Sequence, residues 1–372
     1  MPHQYDVAVA GAGIVGSAIA YECAARGLRV VLLDREEPGS KASGSAAGML
    51  APCSEAHEAG PFLDLARASL ALWPDLARRA QEDSGHDPEL NLDGLLRVAL
   101  DDETADDVQA RLRWQRDSGI SAGEWVDAAA ARELEPALAD GILGAGWYPH
   151  EGHVHSRPAV RALVEASRRH GAEVIVGAAV AGPARSVPGV RLQGGEEIHA
   201  TRTVLAAGSW LAELSQAFGA ALPIRPVHGQ VAVLHGVPSP PRRVVYGGLH
   251  GYVVAKRDGT VLAGATEEDR GFDVTPDPEV TARLQARAAR LVRGAAEATA
   301  VHAWTGLRPC APDRLPLLGP LPSEASGSVL VAGGHYRNGV LLAPVTARGI
   351  VAMLTGEGTP DGWEAFDPRR FG

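Results

Sequence analysis

Residues 5–34 read YDVAVAGAGIVGSAIAYECAARGLRVVLLD. An apolar run at 7–10 is followed by Gly11-Ala12-Gly13-Ile14-Val15-Gly16, and a helical pattern then continues to Arg26 and stops at Gly27. A second apolar run, 30–33, ends in Asp34. This order predicts strand, tight turn, helix and strand, with the glycine spacing of a dinucleotide-binding unit in its proper context. Gly11 suits the tight turn, Gly13 the approach of a backbone to a pyrophosphate, and Gly16 the close packing of helix on strand. The helix N-terminus offers unpaired N–H groups and partial positive charge to phosphate. Asp34, at a strand end, suits a ribose diol. The motif alone leaves NAD and FAD open.

The rest of the composition narrows the class. A chain of 372 residues suggests about two domains. Hydrophobic content of 45% and charged content of 22% are those of an ordinary globular enzyme. The formal charge of -10, with no basic stripe to offset it, argues against a nucleic-acid partner; Arg242-Arg243 and Arg369-Arg370 are too short to count as patches. The three cysteines, Cys23, Cys53 and Cys310, show no metal spacing and suggest a reducing compartment. The apolar start of the chain is the first strand and not a signal peptide, and even the apolar C-terminal stretch carries Arg348. A cytoplasmic protein without stable membrane insertion is expected.

Outward from the first unit, residues 43–52 (SGSAAGMLAP) are small and almost uncharged. Such a segment lets backbone approach a flat ligand, or packs as a buried connector on the first helix. Residues 62–81 have helical periodicity through Leu65, Leu72 and Leu76. Strand-like pieces at 94–100 and 142–148 and helices at 104–118 and 128–134 give 82–150 the texture of a separate unit. His150, His153 and His155 do not repeat on a helix face and lack a nearby cysteine, so a polar turn between domains is preferred to a metal site. Pro158 opens a helix that Gly171 closes, and strands follow at 174–176 and 203–206, the latter running into Ala207-Gly208. Between 223 and 301, β-rich runs at 230–234, 251–255 and 261–265 predict an antiparallel sheet. A helix over 278–293 turns Val280, Leu284, Ala288 and Leu291 inward and Arg283, Arg287 and Arg290 to solvent.

The last block holds Thr305-Gly306-Leu307-Arg308-Pro309, a strand at 329–332, the turn Gly333-Gly334-His335-Tyr336-Arg337-Asn338-Gly339, and a helix at 340–354. A second helix N-terminus is thus delivered to a strand edge, where it suits an anionic flavin edge. The chain has no second GxGxxG, which favours one tightly bound FAD over a separate nicotinamide site.

Together, GAGIVGSAIAYE, SAAGMLAP, TGLRP and GHYRNGVLLAP resemble the D-amino-acid oxidase family of FAD-dependent oxidoreductases, and within it the glycine oxidase type of thiamine biosynthesis. The resemblance covers nearly the whole chain. It implies an α/β FAD-binding Rossmann-like domain built from 1–81, 151–222 and 302–372, and an α+β substrate domain with an antiparallel sheet built from 82–150 and 223–301. Carried over by position, Ile14, Val15, Asp34, Arg35, Ala42, Ser43, Ala47, Gly48 and Met49 would line the FAD, with Val180 on the adenine side and Ala207-Gly208 nearby. His335, Tyr336, Arg337, Asn338, Gly339, Val340 and Leu341, after Gly334, would wrap the isoalloxazine edge. Arg308 would bind a substrate carboxylate, Tyr252 would add a hydrogen bond, and Arg337 and Met49 would lie near the same place. An arginine fork fits a carboxylate in two-pronged geometry; the competing role for Arg308 is an ion pair with Asp313 or Glu267.

The implied reaction is oxidation of glycine or another small primary or secondary amino acid, with O2 as acceptor, hydrogen peroxide as product, and no catalytic base assigned. Dehydroglycine from it could supply thiamine thiazole synthesis. Alternatives are a D-amino-acid or sarcosine-type dehydrogenase with another acceptor, and a non-catalytic binding protein or complex subunit. Glu267 departs from the family's apolar residue: either it faces solvent or an arginine, or it meets the substrate amine. Cys310 is shifted from the position at which some relatives attach flavin, so the FAD is expected to be non-covalent. Self-association into a homo-oligomer stays open.

Overall fold

The structure is a computed structural model that describes residues 4–323 and 327–371. The opening stretch forms β1 (Gln4–Ala10), helix α1 (Ile14–Ala25) and β2 (Val30–Asp34). Next come β3 (Met49–Leu50), α2 (Pro52–Glu55), α3 (Pro61–Ser84), β4 (Leu95–Ala99), α4 (Asp102–Asp117), β5 (Glu124–Asp127), α5 (Ala128–Leu134), β6 (Gly144–Tyr148) and β7 (Gly152–His153). Helix α6 (Ser156–Arg169) leads to β8 (Glu173–Val176), β9 (Val180–Pro183), β10 (Gly189–Leu192), β11 (Glu197–Leu205) and α7 (Leu211–Ala217). The chain ends with β12 (Arg225–His235), β13 (Val244–Tyr246), β14 (Tyr252–Ala255), β15 (Val261–Gly264), α8 (Pro278–Ala289), β16 (Thr299–Cys310), β17 (Leu317–Pro320), β18 (Val329–Gly333) and α9 (Gly339–Thr355).

The first sheet runs β17-β18-β11-β1-β2-β8. Its centre is parallel: β1 pairs with β2 and β11, β11 with β18, and β2 with β8. The continuous apolar runs of β1 and β2 follow from burial on both faces. Val7, Val9, Val30 and Leu32 point into one core, while Ala8, Ala10, Val31 and Leu33 point into the other. Helix α1 is buried from Ile14 to Ala24 because it packs between the sheet and helices α6 and α9. Its small residues allow that approach, and an all-round apolar helix is what such a position demands.

The second sheet runs β16-β12-β15-β14-β13-β4-β6-β5 and is antiparallel except where β13 pairs with β4. That one parallel junction, Val244↔Leu95 to Tyr246↔Arg97, joins the 82–150 segment to the later excursion in a single sheet. One face packs on α8, whose N-terminus is capped by the Asp277 carboxylate accepting from Glu279 N and Val280 N. The other face, with Val231 and Tyr246, turns toward a cavity between the two sheets.

Two readings change. Residues 299–310 form one long strand, β16, laddered along β12, where only a motif was expected. The strand lacks the alternation that would reveal it, because Gly306 and Pro309 interrupt the pattern and its first half is exposed. The histidine turn is also not a solvated turn: His153 (6% exposed) pairs through β7 with Met49 of β3, and His155 (7%) precedes α6. Among the described residues no cluster of His, Cys, Asp or Glu could hold a metal ion, and no helix is long and apolar enough to cross a membrane.

Candidate active site

A cavity of about 900 Å³ opens between the sheets. Its first wall is the turn after β1. Gly11 has φ +113°, and a Cβ there would overlap the Ala206 carbonyl; a Cβ on Gly16 would overlap the carbonyl oxygen of Gly11. The Asp34 carboxylate is fixed beside this turn, accepting from Ala12 N at 2.7 Å and from Glu36 N at 3.0 Å. Ser43 Oγ accepts from Ile14 N at 3.0 Å, tying the 42–45 turn to the helix entry. The Arg35 guanidinium stacks on Trp210 at 4.0 Å, beside the turn that holds Ala207 and Gly208. Val180 lies just beyond Ala178, whose N–H donates to the Asp34 carbonyl. Asp34, Arg35, Val180 and Ala207 therefore gather at one end of the β1–β2 edge, outside the main cavity.

The second wall is 42–49, with Ala42, Ser43, Ala47, Gly48 and Met49 lining the space. The backs of its peptide groups are pinned. Arg157 Nε donates to Gly44 O (2.7 Å), Ser156 Oγ to Ala46 O (2.9 Å) and Lys256 Nζ to Ala47 O (2.7 Å). Lys256 also donates to Val154 O and reaches His153 Nδ1 at 3.1 Å. Burial draws the Lys256 ammonium down to about 7 and keeps His153 neutral. A Cβ on Gly48 would overlap Val154 O. The Lys256 anchor escaped the sequence reading. Its only signal is a cation closing an apolar strand, which a solvated turn would show equally well.

The third wall is the start of α9. Asn338, Gly339 and Val340 face the cavity, and no side chain caps the helix. Gly334 and Tyr336 have positive φ (+68° and +50°), bending the chain from β18 into the helix. The buried His335 bonds Thr346 Oγ1 through Nε2 at 3.0 Å, and burial lowers its pKa to about 4. Pro344 interrupts the helical ladder, and Ser69 Oγ and Trp73 Nε1 both donate to Leu341 O at the break. Leu341 is thus an anchor under the helix entry, not part of the cavity wall.

The fourth wall belongs to the second sheet. Arg308 Nη1 donates to Thr266 O (3.0 Å) and His228 O (3.3 Å). Among the described residues it has no carboxylate partner. Asp313 pairs with Arg370 at 2.8 Å and Glu267 with Arg314 at 3.8 Å. Burial lowers the Arg308 pKa, but a guanidinium stays charged. Glycines make room: a Cβ on Gly229 would overlap the Arg308 guanidinium, and one on Gly264 would overlap the Tyr252 ring opposite it in register. Burial pushes the Tyr252 phenol up to about 12, so it remains a donor. Arg337 Nη2 bonds Glu55 at 3.1 Å, and that carboxylate raises its pKa. Glu267, with 43% side-chain exposure, stands at the rim beside Tyr336, whose phenol rises to about 12.

The geometry is that of a slot with two helix N-termini, walls of small residues and, in Arg308, a cation with no carboxylate partner among the described residues. The sequence matches the FAD-dependent oxidoreductase family over residues 6–353. The chain belongs to this family. It is 35% identical over 373 residues to a glycine oxidase of Geobacillus kaustophilus, covering 100% of this chain and 97% of that one. It is 32% identical over 416 residues to a subunit of hydrogen cyanide synthase of Pseudomonas aeruginosa, covering 100% and 97%. The crystal structure of the Geobacillus kaustophilus glycine oxidase superposes with a TM-score of 0.91 at 34% identity, covering 98% of each chain. The fold is accordingly D-amino-acid oxidase-like and the cofactor FAD. The uncapped α9 fits that cofactor, because an anionic ligand needs free N–H groups, and Gly11, Gly16 and Gly48 let backbone pack on backbone so that the turns around the cavity close.

Proposed function

We propose that the protein is an amino-acid oxidase acting on glycine or another small primary or secondary amino acid. The observation that carries this reading is the half-buried Arg308, without a carboxylate partner among the described residues, facing the cavity that the start of α9 also lines. In it, Arg308 holds the substrate carboxylate and the Tyr252 hydroxyl donates a second hydrogen bond. Arg337 adds positive charge nearby, and Met49 supplies apolar contact. Together they fix Cα in one orientation, and orientation is the chain's main contribution. Residues of the β1–α1 turn, with Asp34, Arg35, Val180, Ala207 and Gly208, hold the adenine half of FAD. Ala42 to Met49, and Gly334 with His335 to Val340, hold the flavin half, with Leu341 fixing the helix entry from behind. FAD bound there would supply the two-electron acceptor through which two electrons and two protons from the amino acid reach O2 as hydrogen peroxide. The imine product hydrolyses to the 2-oxo acid and ammonia, or is handed to thiamine thiazole synthesis. No general base is assigned. The FAD domain comprises 1–81, 151–222 and 302–372, the substrate domain comprises 82–150 and 223–301, and the protein works in the cytoplasm.

The second reading is a D-amino-acid or sarcosine-type dehydrogenase that uses an acceptor other than O2. Anaerobic mixing of the holoenzyme with glycine, sarcosine, D-alanine and D-proline tests both readings. Bleaching of the flavin followed by peroxide formation in air supports the oxidase. Bleaching without peroxide, restored by a quinone, supports the dehydrogenase. A flavin untouched by any amino acid refutes both.

A further inference from the structure

Behind the 42–49 wall, Lys256 sets a cation at the back of one peptide group. It follows β14, whose first residue is Tyr252. The turn after it is fixed by Gly259 N donating to Lys256 O and by Lys256 N donating to Thr260 O. Lys256 is 5% exposed. The ammonium has a hydrogen for each of its contacts: Ala47 O at 2.7 Å, Val154 O at 3.1 Å and His153 Nδ1 at 3.1 Å. Burial and Lys256 itself keep His153 neutral, so its ring nitrogen can accept. Glu89 and Asp258 favour the charged lysine, but neither bonds it. Glu89 faces His155 at 3.4 Å, and Asp258 accepts from Thr260 N at 2.9 Å. An apolar side chain of the same length would fill this space without burying a charge, so the charge itself calls for a reason.

The front of the same peptide is open. The Ala47–Gly48 bond is trans, so the Gly48 N–H points away from the carbonyl that Lys256 holds. Gly48 is buried and lines the cavity. Its carbonyl accepts from Val154 N at 2.9 Å, but its N–H has no acceptor among the described residues. Buried N–H groups are rarely left so, which reserves this one for what fills the cavity. A peptide whose carbonyl meets a cation is a stronger donor at its N–H, because hydrogen bonds in series polarise one another. We propose, resting on the cofactor placement given above, that Lys256 is a positioning residue acting through this peptide: it holds the Gly48 N–H toward the flavin half of FAD and sets positive charge behind it. A flavin gains negative charge on reduction, so a cation there favours the reduced over the oxidised cofactor and raises its reduction potential. β14 then serves both partners of the reaction, with Tyr252 toward the amino acid and Lys256 toward the cofactor wall.

The test measures the reduction potential of the flavin in the wild-type, Lys256→Arg, Lys256→Gln and Lys256→Met holoenzymes. Dithionite is the reductant, a dye of known potential is the reference, and no amino acid is present. The pH is 6, below the value near 7 to which burial draws the ammonium. Loss of FAD on dilution and steady-state kinetics complete the set. Lys256→Gln and Lys256→Met should make two-electron reduction about tenfold or more less favourable, at about 30 mV per tenfold. Lys256→Arg, which keeps the charge, should recover most of that and retain FAD better than either. With an amino acid that reduces the wild type, the loss in the Gln and Met variants should fall on kcat. KM should stay within about threefold, because Arg308 and Tyr252 are untouched. Equal potentials in all four proteins, or a shift that Lys256→Arg shares with Lys256→Gln, would overturn the inference and leave Lys256 a packing residue. Failure of both the Gln and Met variants to fold with FAD in excess would do the same. The potential needs no substrate, so the two readings fail separately. The expected order of potentials in a flavin that no amino acid reduces sinks the oxidase reading and keeps this inference. Equal potentials in a flavin that glycine reduces sink this inference alone.

Discussion

Replacing Arg308 is the most direct challenge to the proposed function. The side chain spends Nη1 on the carbonyls of Thr266 and His228, which fixes the guanidinium against the sheet. Nε and Nη2 remain for a carboxylate, the two-pronged geometry that makes arginine the residue of choice. Arg308→Ala removes the charge and both prongs from the cavity wall. Truncating one partner of a buried, hydrogen-bonded charge pair costs about 2–5 kcal/mol. At 1.4 kcal/mol per decade, this is a loss of roughly 30-fold to 4,000-fold in kcat/KM. Arg308→Lys keeps a point charge but loses the fork, so its loss should be smaller and fall mainly on KM. Steady-state oxygen uptake gives the ratio. The flavin absorbance spectrum and FAD content confirm that the variant still folds and holds its cofactor. A loss under threefold in Arg308→Ala with full FAD content would remove Arg308 as the carboxylate anchor.

Three further outcomes follow from the same geometry. Gly229→Ala places a methyl against the Arg308 guanidinium, so kcat/KM should fall at least tenfold with FAD content unchanged; equal activity would mean Arg308 adapts freely. Glu151 accepts from Cys53 N and Ser54 N, yet burial raises it to about 7. A carboxyl raised in the folded state binds more protons than the unfolded chain between about pH 4.5 and 7, so its contribution to stability is present at low pH and lost as pH rises through that window. The stability of Glu151→Gln relative to wild type should therefore rise across that range in thermal melts, and a flat difference would refute the shift. Cys310 is buried against Val227 and Tyr336 with Sγ donating to Ala311 O and does not line the cavity, so acid precipitation should release all the flavin into the supernatant. Flavin retained in the pellet would show a covalent link.

Much of the scaffold was legible because local chemistry dictates it. The β1–α1–β2 unit needs its glycines where backbone meets backbone, and positive φ at Gly11 and Gly27 marks both turns. Helix α8 shows its buried face as Val280, Leu284 and Ala288. The start of α9 was visible as a glycine-rich turn before an apolar run. Harder to see was anything that depends on register between distant strands. Residues 299–310 showed a motif and no strand because their order comes from the ladder with β12. His153 read as a polar turn residue and Lys256 as nothing in particular, because their burial arises only when β7, β14 and the 42–49 segment meet. Arg97 and Arg111 did leave a trace. Arg97 interrupts the apolar run of β4, and Arg111 shares a helix face with Val108, Leu112 and Gln115, all four buried. A cation on an apolar stripe has either a partner or a task.

The glycines of the second sheet show why the site could not be assembled from one strand at a time. Tyr252 faces Gly264 across the β14–β15 pair, and Gly229 is the diagonal neighbour of Arg308 on the β12–β16 pair, where Val227 is its direct partner. In each case the strand opposite has given up a side chain so that a large polar one can lie flat and face inward. A glycine inside a strand weakens it, having no side chain to pack and more backbone entropy to lose. Two such losses, each opposite a residue that lines the cavity, are hard to attribute to stability. They fit a sheet shaped around what Arg308 and Tyr252 must hold. The FAD side follows a different rule, because its glycines let backbone meet backbone at Gly11, Gly16 and Gly48. Turn chemistry of that kind is written locally, whereas space made for a side chain is written on another strand.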